Sequence, residues 1–494
     1  MASESMLRSL FSVKPVAQML SEEDAESRGE PGLQKSMGLM ALTLFSVGSI
    51  VGTGIFIVLG QAVPDAGPAV VLSFVIAAIA CAFSALSYAE LAGTIPVSGS
   101  SYSYAYATLG EIVAWVVAWC LMLEYGLAVS AVAVGWGQYL DEFLKLAVGL
   151  DLPDAFIEPP GAGGVINIPA ILVIALCTLL LIRGTSESAK VNSAMVLLKV
   201  GILVFFCAVA FTSFNADNFT PFLPLGIAGV GLASSQIFFS FIGFDGVSTA
   251  GEEAKNPRRN LPIAIISSLV IVTLIYVLVA VAAIGATPWQ NFSSQASEAV
   301  LASIAREVTG ANWAPIIISI GAVVSIISVV LVTMFGHTRI LFAMGRDGLL
   351  PPIFTKVSRT THTPIWTTVI VAVIVATLAG FVPLEELADA TSIGTLTAFI
   401  VVNIGVIVLR HTRPDLPRSF RVPWGPVLPI LGILMNIYIL SGLRDFTWEV
   451  FLVWLVLGFL IYFGYSRRHS VLRKSILETP ETTSANQPPR NVGP

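Results

Sequence analysis

Gly48-Ser49-Ile50-Val51-Gly52-Thr53-Gly54-Ile55-Phe56 lies in the middle of the first long apolar segment, residues 38–62. That segment is long enough to span a bilayer as a helix. Its centre nevertheless holds three glycines in seven residues, with Ser49 and Thr53 among them. Glycine is a poor helix former, and freed backbone groups are tolerated at membrane depth only where they meet protein or line a cavity. The stretch therefore reads as a helix broken near the bilayer midplane, with N–H and C=O groups exposed for binding.

The surrounding composition fits this reading. Of 494 residues, 55% are hydrophobic and 12% charged, and the mean hydropathy is +0.84. Soluble domains carry about 25% charged residues. Apolar runs recur along nearly the whole chain, so the fold class is an all-α polytopic membrane protein. Twelve transmembrane helices are expected, at about 38–62, 68–92, 112–137, 165–183, 191–212, 226–250, 262–285, 314–338, 365–382, 388–409, 425–442 and 449–465. With a cytoplasmic N-terminus, nearly all of the 26 Lys and Arg residues fall in inside loops and tails. The exceptions are Lys145, Arg306 and Arg444 outside and Lys199 within a span. This predicts a multi-pass protein of the cytoplasmic membrane with both termini inside and no cleaved signal peptide. The net charge of −5 decides nothing here. Cys81, Cys120, Cys177 and Cys207 all lie in apolar spans without metal-ligand spacing, so neither a metal nor a cofactor is expected.

Spans 1–5 and 6–10 occupy similar lengths, and five is odd, so a second copy inserts with opposite topology. Span 6 is interrupted like span 1, at Ser240-Phe241-Ile242-Gly243-Phe244-Asp245-Gly246. Paired Gly-interrupted segments at matching positions point to a 5+5 inverted repeat with broken helices 1 and 6 and the binding site between them. The expected divisions are a cytoplasmic segment 1–37, repeat one 38–213, repeat two 214–410, two peripheral helices in 411–465, and a disordered tail 466–494.

Three ionisable groups lie deep within spans: Glu124, Lys199 and Asp245. A charge at the bilayer centre costs at least ~2.5–3.5 kcal/mol, so each must face a cavity or partner, or become neutral. Lys199 is either a proton carrier or a structural cation held by carbonyls of the broken helix. Glu124 meets a substrate ammonium or cationic side chain, pairs with another group, or carries the proton. Asp245 either caps freed N–H groups or acts as a gate. Ser328 sits at mid-depth in span 8, where a lone serine usually bonds back to its own helix. Glu90, Glu111, His337 and Arg339 lie near span ends and read as interfacial or gating groups. Two broken helices crossing antiparallel offer N–H groups to a carboxylate and C=O groups to an ammonium, which suits an α-amino acid.

The segment 48–56 resembles the span 1 signature of the amino acid–polyamine–organocation superfamily. Tyr88-Ala-Glu-Leu91, Leu123-Glu-Tyr125, Phe238-Phe-Ser-Phe-Ile-Gly-Phe-Asp245, Glu252-Glu-Ala-Lys-Asn-Pro-Arg-Arg-Asn-Leu-Pro262 and Arg346-Asp-Gly-Leu-Leu-Pro351 resemble its cationic amino acid transporter branch and bacterial relatives. The resemblance implies alternating access and uptake of L-amino acids, cationic or small neutral. It implies that Ile50, Thr53 and Gly54 hold the substrate's carboxylate and amino group. Phe239, Ser240 and Ile242 would face the substrate from span 6, with Phe239 as a gate, and Glu124 matches an acidic residue of span 3. Lys199 matches a lysine standing where sodium-driven relatives hold a cation, near Gly48, Val51 and Ser328, which implies proton coupling. Ser98-Gly99-Ser100 and His337 depart from the usual pattern.

The expectation is a proton-coupled L-amino acid importer. The alternative is a proton-independent amino acid or polyamine exchanger. The expected partners are substrate, proton and the lipid bilayer, not nucleic acid; a small membrane subunit or homo-oligomer stays open. An enzyme is not expected, because no phosphate-binding Gly-Lys loop, His-Glu-x-x-His or Ser-His-Asp set occurs within the spans.

Overall fold

The computed structural model describes residues 10–19, 37–97, 99–183, 188–293, 299–358, 361 and 363–478. The described chain is helical, apart from loops and one isolated bridge between Met37 and Ala254. All twelve predicted apolar stretches are helices. The helices used below are, in chain order, α1 (Leu39–Ile50) and α2 (Thr53–Ala66), which share the first stretch, α3 (Val70–Thr94), the short buried α4 (Ser100–Thr108), α5 (Glu111–Ala147), α6 (Ile168–Arg183) and α7 (Ser188–Ala210). There follow α8 (Gly226–Phe238), α9 (Pro257–Ala286), α10 (Val300–Thr309), α11 (Trp313–Arg346), α12 (Ile365–Phe381), α13 (Leu384–Thr412), α14 (Val427–Leu440), α15 (Asp445–Ile461) and α16 (Val471–Glu478).

Eight helical stretches among the described residues are long and apolar enough to cross a membrane, and α1, α6, α12 and α14 are apolar but shorter. The difference from twelve equal spans has a local cause at the start of the chain. The break at Val51 and Gly52 cuts α1 short, while the Gly67–Ala69 turn carries α2 directly into α3.

The two longest helices, α5 and α11, pack against each other and form the spine. Trp136 Nε1 donates to Val323 O at 2.9 Å across that interface. The other main packings are α3 with α9, α6 with α12, α5 with α13, α7 with α11, α1 with α9 and α3 with α8. Apolar side chains such as Leu197, Leu274 and Leu460 remain exposed on the outer surface, as a bilayer-facing wall requires.

Glu90, expected as an interfacial or gating group, is a buried structural anchor. Arg410 Nε donates to its Oε1 at 2.8 Å and Arg410 Nη2 to Oε2, Val422 N donates to Oε2 at 2.7 Å, and Arg418 Nε lies 3.4 Å from Oε1. These contacts fasten α3 to α13 and to the loop before α14. Removing one partner from a buried ion cluster leaves an uncompensated charge. Arg410→Gln should therefore destabilise the detergent-solubilised protein by about 3 kcal/mol, read as a lower thermal unfolding midpoint.

Candidate functional site

The site begins where α1 stops. Val51 (φ −73°, ψ 86°) and Gly52 (φ −115°, ψ −154°) leave the helical region before α2 resumes at Thr53. Carbonyls at the end of α1 and N–H groups at the start of α2 are thereby released from helical pairing. Lys199, on α7 and fully buried, supplies partners: its Nζ donates to Gly48 O at 2.9 Å and to Val51 O at 3.0 Å. Ser328 is not one of its hydrogen-bond partners; its hydroxyl donates to Ser325 O at 2.8 Å within α11.

The second break follows α8. One 3-10 turn, Phe239–Phe241, ends at Ile242, which is extended (φ −62°, ψ 139°). Gly243 then takes φ +116°, a left-handed value that a side chain resists, and a 3-10 helix runs over Phe244–Glu253. A Cβ on Gly243 would stand 2.7 Å from Ser49 O, and one on Gly54 would stand 2.7 Å from the Ser240 Cα. The two breaks thus touch backbone to backbone at both crossings, which only glycine allows.

A residue outside the sequence-based set joins them. The Tyr276 hydroxyl on α9 lies 3.1 Å from Ile50 O and 3.0 Å from Ser240 O, so its single hydrogen serves the frayed carbonyl ends of both breaks. A mid-span hydroxyl in the apolar run Thr273-Leu-Ile-Tyr276 was the available signal, and it resembles ordinary core packing.

Between the breaks lies a chamber of about 50 Å³. Of the expected substrate residues, Ile50, Gly54, Glu124, Phe239, Ser240, Ile242 and Asp245 all line it. The Thr53 side chain lies outside the described part of the structure. Three polar atoms around the chamber are buried and have no hydrogen-bond partner among the described residues: Glu124 Oε2, Ser240 Oγ and Asp245 Oδ1. Asp245 Oδ2 receives a long contact from the Tyr125 hydroxyl, 3.5 Å, and the backbone N–H groups of Gly243, Asp245 and Gly246 face its carboxylate. Buried polar atoms are usually paired, so three unpaired oxygens around one chamber make it the candidate site. Ala128, Val132 and Val329 supply an apolar wall.

Gly54 and Phe239 also border a vestibule of about 420 Å³ that reaches Asp65, Glu385 and Arg444. On the opposite side, which carries the described terminal segments, successive polar contacts join the elements. Ser248 Oγ donates to Ser100 Oγ at 3.0 Å, and Lys255 N donates to Met37 O at 2.8 Å. Below them Lys14 Nζ and Asp347 Oδ1 are 2.8 Å apart, and the Tyr102 hydroxyl donates to Asp347 Oδ2 at 2.5 Å.

Residues 37–465 match the amino acid permease family. The chain belongs to that family. The match places it, as the motifs implied, in the amino acid–polyamine–organocation superfamily, whose permeases are membrane transport proteins rather than enzymes. As a permease it is 44% identical over 473 residues to a branched-chain amino acid permease of Bacillus subtilis, covering 95% of this chain and all of that one. It is 41% identical over 471 residues to a methylthioribose transporter of the same organism, with the same coverage. To cationic amino acid transporter 9, chloroplastic, of Arabidopsis thaliana it is 37% identical over 409 residues, 81% of this chain and 71% of that one.

Gly54→Ala places a methyl group against the Ser240 backbone and must push the half-helices apart. The variant should fold, with a stability cost of about 1–3 kcal/mol for overpacking. Its substrate-induced thermal shift should be lost, as read on purified protein beside the wild type.

Proposed function

We propose that the chain is a proton-coupled secondary transporter that imports L-amino acids across the cell membrane by alternating access. The observation that carries this reading is the contact of two helix breaks, one of which holds the amine of Lys199 on its freed carbonyls. The N–H groups opening α2 suit the substrate carboxylate, since a helix N-terminus carries about half a positive charge. The unpaired oxygens of Glu124, Ser240 and Asp245 suit its ammonium. The apolar wall of Ala128, Val132 and Val329 suits an aliphatic side chain, in keeping with the name of the 44%-identical relative. The methylthioribose relative makes the substrate class itself something to measure.

Lys199 fits the coupling role through its hydrogen-bond stoichiometry. Two carbonyls match the two N–H bonds of an uncharged amine, and an ammonium brings a third. Proton exchange at Nζ therefore changes how well the broken α1 is held, which links protonation to the half-helix beside the substrate. Gly48 and Val51 serve in this proposal as the lysine's carbonyl seat.

The same reading takes all twelve apolar helices as spans, with repeats at 38–213 and 214–410, 411–465 peripheral and both termini cytoplasmic. The packing supports it, because partners recur five spans apart. Span 2 packs on span 7, 3 on 8, and 4 on 9; the 1–7 contact has its counterpart in 6–2, and 5–8 in 10–3. A pseudo-twofold axis generates such exchanged pairs. Phe239, at the boundary of chamber and vestibule, is the proposed gate.

Two measurements test the proposal. Among the twenty L-amino acids, ornithine and methylthioribose, a small aliphatic or branched L-amino acid should raise the unfolding midpoint most; a shift with methylthioribose alone would overturn the amino acid assignment. In proteoliposomes with an alkaline interior, wild type should accumulate that amino acid against its gradient, and Lys199→Ala should not. Accumulation by Lys199→Ala equal to wild type would remove the lysine from the coupling step.

A further inference from the structure

The far end of α11 and the chain beyond α15 border a third cavity, a surface cleft of about 460 Å³. Arg346, His469 and Lys474 line it, and among the described residues no acidic one does. The nearby carboxylate of Asp347 is turned away, engaged by Lys14 and Tyr102. Phe342, Leu350 and Val471 are among its apolar lining residues. The cleft therefore combines cationic with apolar lining residues.

Its walls are built rather than incidental. After α15 the chain makes one π-helical turn, Tyr462–Ser466, a local irregularity often found at functional sites. That turn carries the Tyr465 ring onto His469, stacked at 4.1 Å between centroids. His469 Nδ1 donates to Tyr465 O at 2.9 Å, which orients the ring and leaves Nε2 for another partner. Ser466 Oγ donates to Leu349 O at 2.6 Å and Val471 N to Asp347 O at 3.1 Å, tying this segment to the end of α11. Glu111 secures it further, accepting from the Tyr462 hydroxyl at 2.9 Å and from Ser470 Oγ. Arg467, Arg468 and Arg473 add basic charge on the same short segment.

The position along the helix identifies the ligand. Leu457, Leu460, Ile461 and Phe463 are exposed apolar residues on α15 and the turn after it, and the cationic residues begin within the next few positions. The cleft thus lies where a bilayer-facing helix leaves the hydrocarbon, at the depth of lipid head groups. We propose that it binds one anionic phospholipid from the leaflet on the side of the termini. The phosphate sits among Arg346, His469 and Lys474, and the first acyl carbons lie against Phe342 and Val471. A soluble phosphate would leave the apolar wall unused.

The test uses the delipidated full-length protein in neutral detergent. Bound lipid is counted by native mass spectrometry after titration with dioleoyl-phosphatidylglycerol, dioleoyl-phosphatidylcholine or glycerol phosphate. One phosphatidylglycerol should be retained in preference to phosphatidylcholine. Arg346→Gln and Lys474→Glu should each weaken it about fivefold or more, as removal of one basic residue at a head group does. Arg421→Gln, outside the cleft, should not. Lys474 is exposed, so its substitution leaves the fold intact even if Arg346→Gln fails to accumulate. Independently, a photoactivatable phosphatidylglycerol should label wild type within 342–355 or 465–474. Equal retention of phosphatidylcholine, retention unaltered by Lys474→Glu, or labelling confined to other segments would overturn the proposal. Displacement of phosphatidylglycerol by an equal concentration of glycerol phosphate would overturn it in favour of a soluble anion.

Discussion

An interrupted helix inside a bilayer is stable only if the groups it frees find partners, and here the amine of Lys199 meets that requirement for α1. Without it, Gly48 O and Val51 O would face an interior that lacks water, at a cost of several kcal/mol for each unpaired group. The Tyr276 hydroxyl completes the arrangement by bridging Ile50 O and Ser240 O, so that the two breaks become one structural unit. Gly54 and Gly243 then allow the half-helices to touch. In the proposed cycle, protonation and substrate act on the same few carbonyls and N–H groups. This provides a physical basis for coupling without a metal ion.

The two faces of the molecule differ. A vestibule leads down to Phe239, whereas on the face bearing the described terminal segments successive polar contacts join the elements, ending in the Lys14–Asp347 pair. These contacts are small and separable: one serine pair, one backbone bond and one buried ion pair. A transporter that must open this face needs closures of that kind, because a continuous apolar seal would be harder to part.

The breaks were legible in the sequence because glycine clustering inside an apolar run has few physical explanations. Lys199, Glu124 and Asp245 were legible because charge at membrane depth is expensive. The surrounding support was not. Tyr276 looks like core packing in its apolar run. The Lys14–Asp347 and Glu90–Arg410 pairs join residues more than three hundred positions apart, and nothing local marks either partner. Glu90 and Glu111 both read as interfacial groups from their place near span ends, yet they are buried acceptors that fasten separate parts of the chain. Ser328 bonds back to its own helix, as a lone serine at mid-span usually does. Depth along a helix is readable from sequence; the direction in which a side chain points around the helix is much less so.

The central claim is that the crossed breaks read both ends of a zwitterion. It is tested most directly by competition binding with three forms of the best-bound amino acid: the free L-amino acid, its methyl ester and its N-acetyl derivative. Each derivative removes one charge and keeps the side chain. If α2 holds the carboxylate and the oxygens of Glu124, Ser240 and Asp245 hold the ammonium, both derivatives should bind at least about a hundredfold more weakly, the loss of roughly 3 kcal/mol expected when a buried charged partner goes unpaired. Binding of either derivative at the strength of the free amino acid would contradict the account.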